Sequence, residues 1–190
     1  MKYALIAASL VLAAATRCLA AELPLALDAA HSRVEVVVKA TVDSFTGKLE
    51  RYEADVAVDP QALVPVTRAK IAFKFADVKT GKTDRDEQML IWGEDSLKPD
   101  GSFTLAALTP IPAGGYQATG TLVFHGMAHE LSFPVRISHE GEVYAVDGDA
   151  TLDTRDFGLP VIRKFMMLKV DPVVHVRFHL QGHLVAAKLN

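Results

Sequence analysis

The segment Lys70-Ile71-Ala72-Phe73-Lys74-Phe75 sets aromatic and aliphatic side chains against a cationic or small face with a period of two. Successive side chains of an extended strand point to opposite sides, so such a run has one dry face and one wet face. The same period recurs along the chain. Val34, Val36 and Val38 alternate with Arg33, Glu35 and Lys39, broken only at Val37; Tyr52, Ala54, Val56 and Val58 alternate with Arg51, Glu53, Asp55 and Asp59 until Pro60 ends the run. Runs at Phe103 to Leu108, Tyr116 to Phe124, Glu130 to Ile137, Val143 to Leu152 and Val173 to Leu184 bring the total to about eight strands. The pattern predicts an all-β domain.

Short connections pair sequence neighbours antiparallel. The clearest hairpin is Phe124-His125-Gly126-Met127-Ala128-His129, where Gly126 supplies the positive φ of a tight turn. One stretch, Thr83 to Ile91, reads as a short helix, with Thr83 as N-cap and Asp86 as its partner three residues on. Met89, Leu90 and Trp92 gather at its end, so the helix is expected to lie against the sheet like a lid. About eight antiparallel strands in one domain form either a closed barrel or a two-sheet sandwich, and alternation alone does not choose between them.

Residues 1–20 have the layout of an export signal: Lys2, an apolar run from Ala4 to Ala15, then Cys18-Leu19-Ala20 ahead of a cut before Ala21. Arg17 stops the apolar run short of the ~20 residues that a membrane-spanning helix needs, and Ala15-Thr16-Arg17 before Cys18 does not fit a lipoprotein cut. The expectation is a signal peptide over 1–20 and one exported domain over 21–190, with no stable membrane anchor. The single cysteine leaves with the signal, so no disulfide supports the fold and the core must. Without Lys2 and Arg17 the chain keeps 18 basic against 23 acidic residues, a formal charge of −5. The signs are scattered, and no basic face for nucleic acid is visible.

Several motifs in order resemble those of the YceI family of periplasmic polyisoprenoid-binding proteins. Asp28-Ala29-Ala30-His31-Ser32-Arg33-Val34 is similar to its D-x-x-H-S-x-V opening, and Gly47-Lys48-Leu49 through Val58-Asp59-Pro60 to its G-x-F and hydrophobic-Asp-Pro segment. Lys79 to Asp86 resembles T-G-x-x-x-R-D, and Gly120 to Gly126 resembles G-x-L-x-x-H-G. Leu152 to Gly158 resembles L-x-R-x-D-F-G with an altered spacing at Asp153-Thr154. The chain departs from the family at Leu90 to Asp95 and at Lys164 to Lys169. The resemblance implies a lipocalin-like eight-stranded barrel, with one short helix, whose apolar interior takes up a long isoprenoid or fatty chain.

Such a ligand demands no specific polar partner; its affinity comes from methylenes leaving water, ~0.8 kcal/mol each. Alternation puts Val34, Val36, Val38, Tyr52, Ile71, Phe73, Phe75, Phe103, Leu105, Leu122, Phe124, Phe133, Val135, Val176 and Phe178 inward. Met89, Trp92, Met166 and Met167 are candidates for the mouth, because methionine adapts to irregular ligands. The alternative is that the same side chains fill an ordinary solid core.

Other constellations carry less. His175, His179 and His183 lie along one strand, and four strand residues span ~13 Å, so no two share an ion; with Arg177 and Gln181 they read as an outer face. His125 and His129 flank a hairpin but lack the three or four ligands of a stable zinc site. His31 and Ser32, adjacent on a strand, point apart. Asp84 and Asp86 suit a helix start, while Asp153, Arg155 and Asp156 read as loop partners. No hydrolase, metalloprotease, P-loop or dinucleotide fingerprint is present.

The reading is therefore an exported carrier or sequestering protein for a polyisoprenoid, an isoprenoid quinone or a fatty acyl derivative, not an enzyme and without a cofactor. Two alternatives stand beside it. One is a barrel enzyme acting on a lipid or quinone precursor, resting on the Tyr52 phenol. The other is a binding module for a periplasmic protein, using sheet edges or the loop Lys164 to Lys169. The sequence leaves monomer and homodimer both open.

Overall fold

The computed structural model describes residues 22–41, 43–94, 97–164 and 168–185. The expected signal segment, with Cys18, lies outside these residues, as do Met166 and Met167. The strands are β1 (Leu23–Leu27), β2 (Arg33–Ala40), β3 (Phe45–Leu49), β4 (Tyr52–Val58), β5 (Val66–Lys74), β6 (Val78–Lys79), β7 (Asp100–Pro110), β8 (Tyr116–Phe124), β9 (Met127–Glu140), β10 (Val143–Asp153), β11 (Arg163–Lys164) and β12 (Leu168–Leu184). One α-helix, α1 (Thr83–Trp92), and three 3₁₀ turns, Ala29–His31, Phe75–Asp77 and Thr154–Phe157, interrupt them.

Hydrogen bonding runs β1-β4-β5-β7-β8-β9-β10-β12, and β12 returns to β1 through Leu25↔Leu184 and Leu27↔Gly182. The sheet therefore closes on itself, as a barrel and not a sandwich. The 17-residue β12 has two partners on one side: its C-terminal part holds β1 and its N-terminal part holds β2, through Val34↔Phe178 and Val38↔Val174. In the same way β2 pairs with β3 while β1 pairs with β4, and β3 pairs with β6 while β4 pairs with β5. Thus β1 with β2, β3 with β4, and β5 with β6 are three long strands, each broken at one level, and the barrel has eight strands.

The break is held by specific groups. Asp28 accepts from Ala30 N at 2.9 Å and meets His31 Nδ1 at 2.6 Å, which fixes the first 3₁₀ turn. The Ser32 hydroxyl donates to Gln181 O at 3.2 Å and accepts from Gln181 N at 3.0 Å, in place of the ladder bonds missing there. Glu50 N donates to Asp77 O at 2.9 Å, and the Arg51 guanidinium donates to Asp77 Oδ1 at 2.6 Å and 2.9 Å. The opening D-x-x-H-S motif is thus a joint between two half-strands.

Leu25, Val56, Val58, Val66 and Tyr144 are buried together and close one end of the barrel. The other end is covered by α1. The helix spans Thr83–Trp92, one residue past the expected end at Ile91, and its cap differs. Lys82 is the N-cap residue and makes no side-chain bond. Asp86 instead reaches back past the helix start and accepts from Thr80 N at 2.9 Å and from the Thr80 hydroxyl at 2.6 Å. The acceptor that a capping box would have used thus closes the turn before the helix, in which Gly81 adopts φ +74°.

Candidate functional site

Inside the barrel is a cavity of about 290 Å³, bordered by residues from every long strand, from α1 and from the segment Pro160, Val161 and Ile162. This lies at the lower end of the range for small-molecule sites. Val34, Val36, Val38, Ile71, Phe73, Phe103, Val176 and Phe178 all border the space, yet each is only half-buried. In a solid core inward-facing side chains of this kind are fully covered. Here their open surface faces the cavity.

Phe133 meets the rings of Phe103 and Phe178 at centroid separations of 5.5 Å and 6.0 Å, and glycines on neighbouring strands leave room for rings against the wall. A Cβ added at Gly101 would stand 2.3 Å from Cζ of Phe73, at Gly120 2.4 Å from Cζ of Phe103, and at Gly148 2.3 Å from Cζ of Phe178. Gly101 is the cross-strand partner of Phe73, and Gly148 that of Phe178. Each ring lies against a neighbouring glycine, the arrangement known to rescue glycine in sheets, and takes the space that a Cβ there would fill.

The mouth is built by α1 and the last 3₁₀ turn. Trp92 Nε1 donates to Pro160 O at 2.8 Å, and its ring packs 6.4 Å from that of Phe75. Gly93 is forced by the same packing, since a Cβ there would come 2.4 Å from the Phe75 ring. Arg85 fixes the helix start to β3, its guanidinium 4.3 Å above the Phe45 ring, with Nε donating to Thr80 Oγ1 at 3.1 Å. His125, in the β8–β9 turn with φ +50°, is 6% exposed. Its Nδ1 donates to Phe157 O at 2.8 Å, and its Nε2 lies 3.1 Å from Glu94 Oε2 and 3.4 Å from Lys98 Nζ. Hydrogen bonds from Lys98, whose Nζ is 3.2 Å from Glu94 Oε2, and then from His125 hold the Glu94 carboxyl below its usual range. The motifs around Arg85-Asp86, His125-Gly126 and Phe157-Gly158 thus tie the lid to the barrel rim.

Sixteen of the seventeen residues expected to bind ligand border this cavity, including Leu105, Leu122, Phe124, Phe133, Val135, Met89 and Trp92. Tyr52 does not, which corrects its expected place. It pairs with Phe73 in register, but it is the first residue after the strand break, where β1 has already ended. Its half-buried phenol is held above the ordinary tyrosine pKa by burial, partly offset by a hydrogen bond with Ser32. It belongs to the joint and not to the wall.

The alternation missed two wall residues of a different kind. Of the described residues around the cavity, Thr154 and Asp171 alone carry polar side chains besides Trp92, whose N–H is already engaged. Thr154 continues the inward series Ala150 and Leu152 beyond the end of β10. Asp171 falls on the outward parity of β12, but the pairing with β2 slips between Val170 and Val174. Pro172, which cannot donate to a ladder, sits in that slip, and the bulge brings Asp171 to the wall. No sequence period signals such a slip; Pro172 was its one visible mark.

The histidines of β12 lie outside: His175 Nδ1 is 3.1 Å from Asp149 Oδ1 and His179 Nδ1 2.7 Å from Asp147 Oδ1. His129 packs its ring edge-on to Phe157 at 5.0 Å. Among the described residues no group of three or more His, Cys, Asp or Glu side chains could hold a metal ion. No helix among them is long and apolar enough to cross a membrane.

Comparisons with known proteins come down on the same architecture. The family model described as "YceI-like domain" matches residues 25–182. No curated protein matches the chain. Among solved structures, BcnA of Burkholderia cenocepacia superposes with a TM-score of 0.72 at 24% identity, covering 82% of this chain and 99% of that one. A polyisoprenoid binding domain from Saccharophagus degradans, implicated in plant cell wall breakdown, gives 0.59 at 16% identity over 86% and 99%. The YCEI protein of Campylobacter jejuni gives 0.61 at 16% over 75% and 86%. At these identities the structures show a shared fold and nothing finer.

Proposed function

The chain belongs to the YceI-like family, and from that premise we propose that it is exported to the periplasm and carries or sequesters a long apolar molecule inside its barrel. A polyisoprenoid, an isoprenoid quinone or a fatty acyl derivative suits the site. The observation that carries this reading is the cavity wall, aliphatic and aromatic along its length with rings set against glycines. Ten methylenes taken from water contribute ~8 kcal/mol, which corresponds to micromolar binding before the costs of ordering the ligand. The name of the Saccharophagus neighbour supports the same ligand class.

The reading is of a carrier and not an enzyme. The phenol that suggested chemistry, Tyr52, stands outside the wall, and the wall offers one hydroxyl and one carboxylate with no base or nucleophile hydrogen-bonded to either among the described residues. The test is direct. Protein purified from its own host is extracted with organic solvent, and native mass spectra are taken before and after. An apolar adduct that the solvent removes is expected; empty protein that takes up no prenyl or acyl chain refutes the proposal.

A further inference from the structure

The cavity ends at a definite rung of the sheet. On β9, β10 and β12 the cross-strand neighbours Ile137, Val146 and Leu180 all border it. Two residues further toward the closed end, the next rung of the same face is His139, Tyr144 and Gly182, and none of these borders it. On β4 the same step separates Val56, which borders the space, from Val58, which is fully buried and does not. Tyr144 fills this rung. It is 2% exposed, its partner Gly182 has no side chain, and its ring stacks on that of the exposed His139 with centroids 5.2 Å apart and planes at 20°. The barrel therefore has a floor one ring thick, and the way in is the mouth beneath α1.

Leu25, Val56 and Val66 complete the closed end, which offers a ligand nothing but hydrocarbon, so an amphiphile goes in tail first. We infer that the Tyr144 floor makes the barrel a gauge of tail length. A methylene takes about the room of a water molecule in the liquid, ~30 Å³, so the cavity of about 290 Å³ holds a tail of about ten carbons. A shorter tail leaves part of the cavity unfilled. Carbons beyond the limit stay outside the mouth, remain in water and add no affinity, because only surface withdrawn from water contributes. The inference rests on the carrier reading and narrows it from any long apolar chain to ligands recognised by a tail of limited length.

Trp92 is the only tryptophan and borders the same cavity, so its fluorescence reports occupancy. The ligand-free protein is titrated with saturated carboxylates from hexanoate to hexadecanoate, each below its micelle concentration, and with geranylgeraniol. Kd is expected to fall about fourfold per added carbon, the worth of one methylene leaving water, and to stay level beyond about ten carbons. Tyr144→Val removes the ring, the room of roughly two methylenes, and should move the levelling point about two carbons longer. Val146→Phe instead fills the rung above, where Val146 is only half-buried, and should move it about two carbons shorter; this variant hollows nothing, so it carries the test where Tyr144→Val does not fold. A Kd that goes on falling to hexadecanoate, a levelling point that the folded variants do not move, or a response to geranylgeraniol with none to any carboxylate overturns the length limit and leaves the carrier reading intact. No response to any of these probes removes both.

Discussion

Val36→Phe should weaken ligand binding and raise stability at once, two effects that only a hollow barrel can produce together. Val36 lies in the middle of β2, pairs with Val176 and borders the cavity while only half-buried. A phenyl ring there enters empty space and takes the room of roughly two ligand methylenes. At ~0.8 kcal/mol each the loss is ~1.6 kcal/mol, or about fifteenfold in Kd. The same ring refills a void, and each 50 Å³ refilled contributes ~1.2 kcal/mol at about 24 cal/mol per Å³. For a chain of this size that raises Tm by roughly 2–5 °C. The assay is a geranylgeraniol titration followed by Trp92 fluorescence, beside thermal melts of the ligand-free protein. Were the centre solid, the added ring would overpack it and cost ~1–3 kcal/mol. A lowered Tm with unchanged binding therefore refutes the hollow tube.

Gly148→Ala should fold, melt somewhat lower and bind more weakly, because its Cβ meets only the far end of the Phe178 ring, which can swing into the cavity. Gly120→Ala should cost more stability, since its Cβ also meets Thr104 O at 2.5 Å; equal melts for the two variants would contradict the wall argument. Acid should loosen the fold. Glu94, Asp28 and Asp153 are held below their ordinary pKa by hydrogen bonds from Lys98, His31 and Arg155 respectively. Lowered carboxylates contribute stability above their unfolded values and lose it as pH falls through the folded ones, so Tm should drop below about pH 4. Glu94→Gln should show a shallower drop, and an unchanged acid slope would remove Glu94 from the lid tie. His179→Ala should leave probe affinity unaltered within error, because the imidazole is turned outward to Asp147; a tenfold change would place it in the site.

Much of the fold was legible because each strand keeps one face to the cavity and the other to solvent, and a period of two needs no tertiary knowledge to read. Val34-Val36-Val38 and Ile71-Phe73-Phe75 border the cavity for that reason. The reading slipped where the strands do. Tyr52 satisfies the period, yet it follows a break that only the pairing of β3 with β2 and of β4 with β1 reveals. Asp171 violates the period, yet it borders the cavity within the register shift of β12. The Asp86 cap was misassigned for a related reason: its acceptor serves a turn whose Gly81 conformation is set outside the helix. Whether the core was solid or hollow was illegible, because it depends on Gly101, Gly120 and Gly148 standing beside particular rings on neighbouring strands, and register is a tertiary fact.

The same glycines give the cavity its energetic meaning. An apolar cavity of about 290 Å³, left unfilled, would forfeit packing worth ~7 kcal/mol at about 24 cal/mol per Å³, a large part of the 5–15 kcal/mol by which domains are ordinarily stable. A chain under selection for stability alone could close it by single substitutions such as Val36→Phe. Keeping it open requires three glycines, a lid tied down by Trp92, Arg85 and His125, and strand joints at Ser32 and Arg51. Those costs are recovered only when something apolar occupies the space, because a ligand that binds the folded chain alone stabilises it by RT ln(1 + [L]/Kd). Occupancy and folding stability are therefore coupled in this barrel, and the loaded protein should be the more stable form.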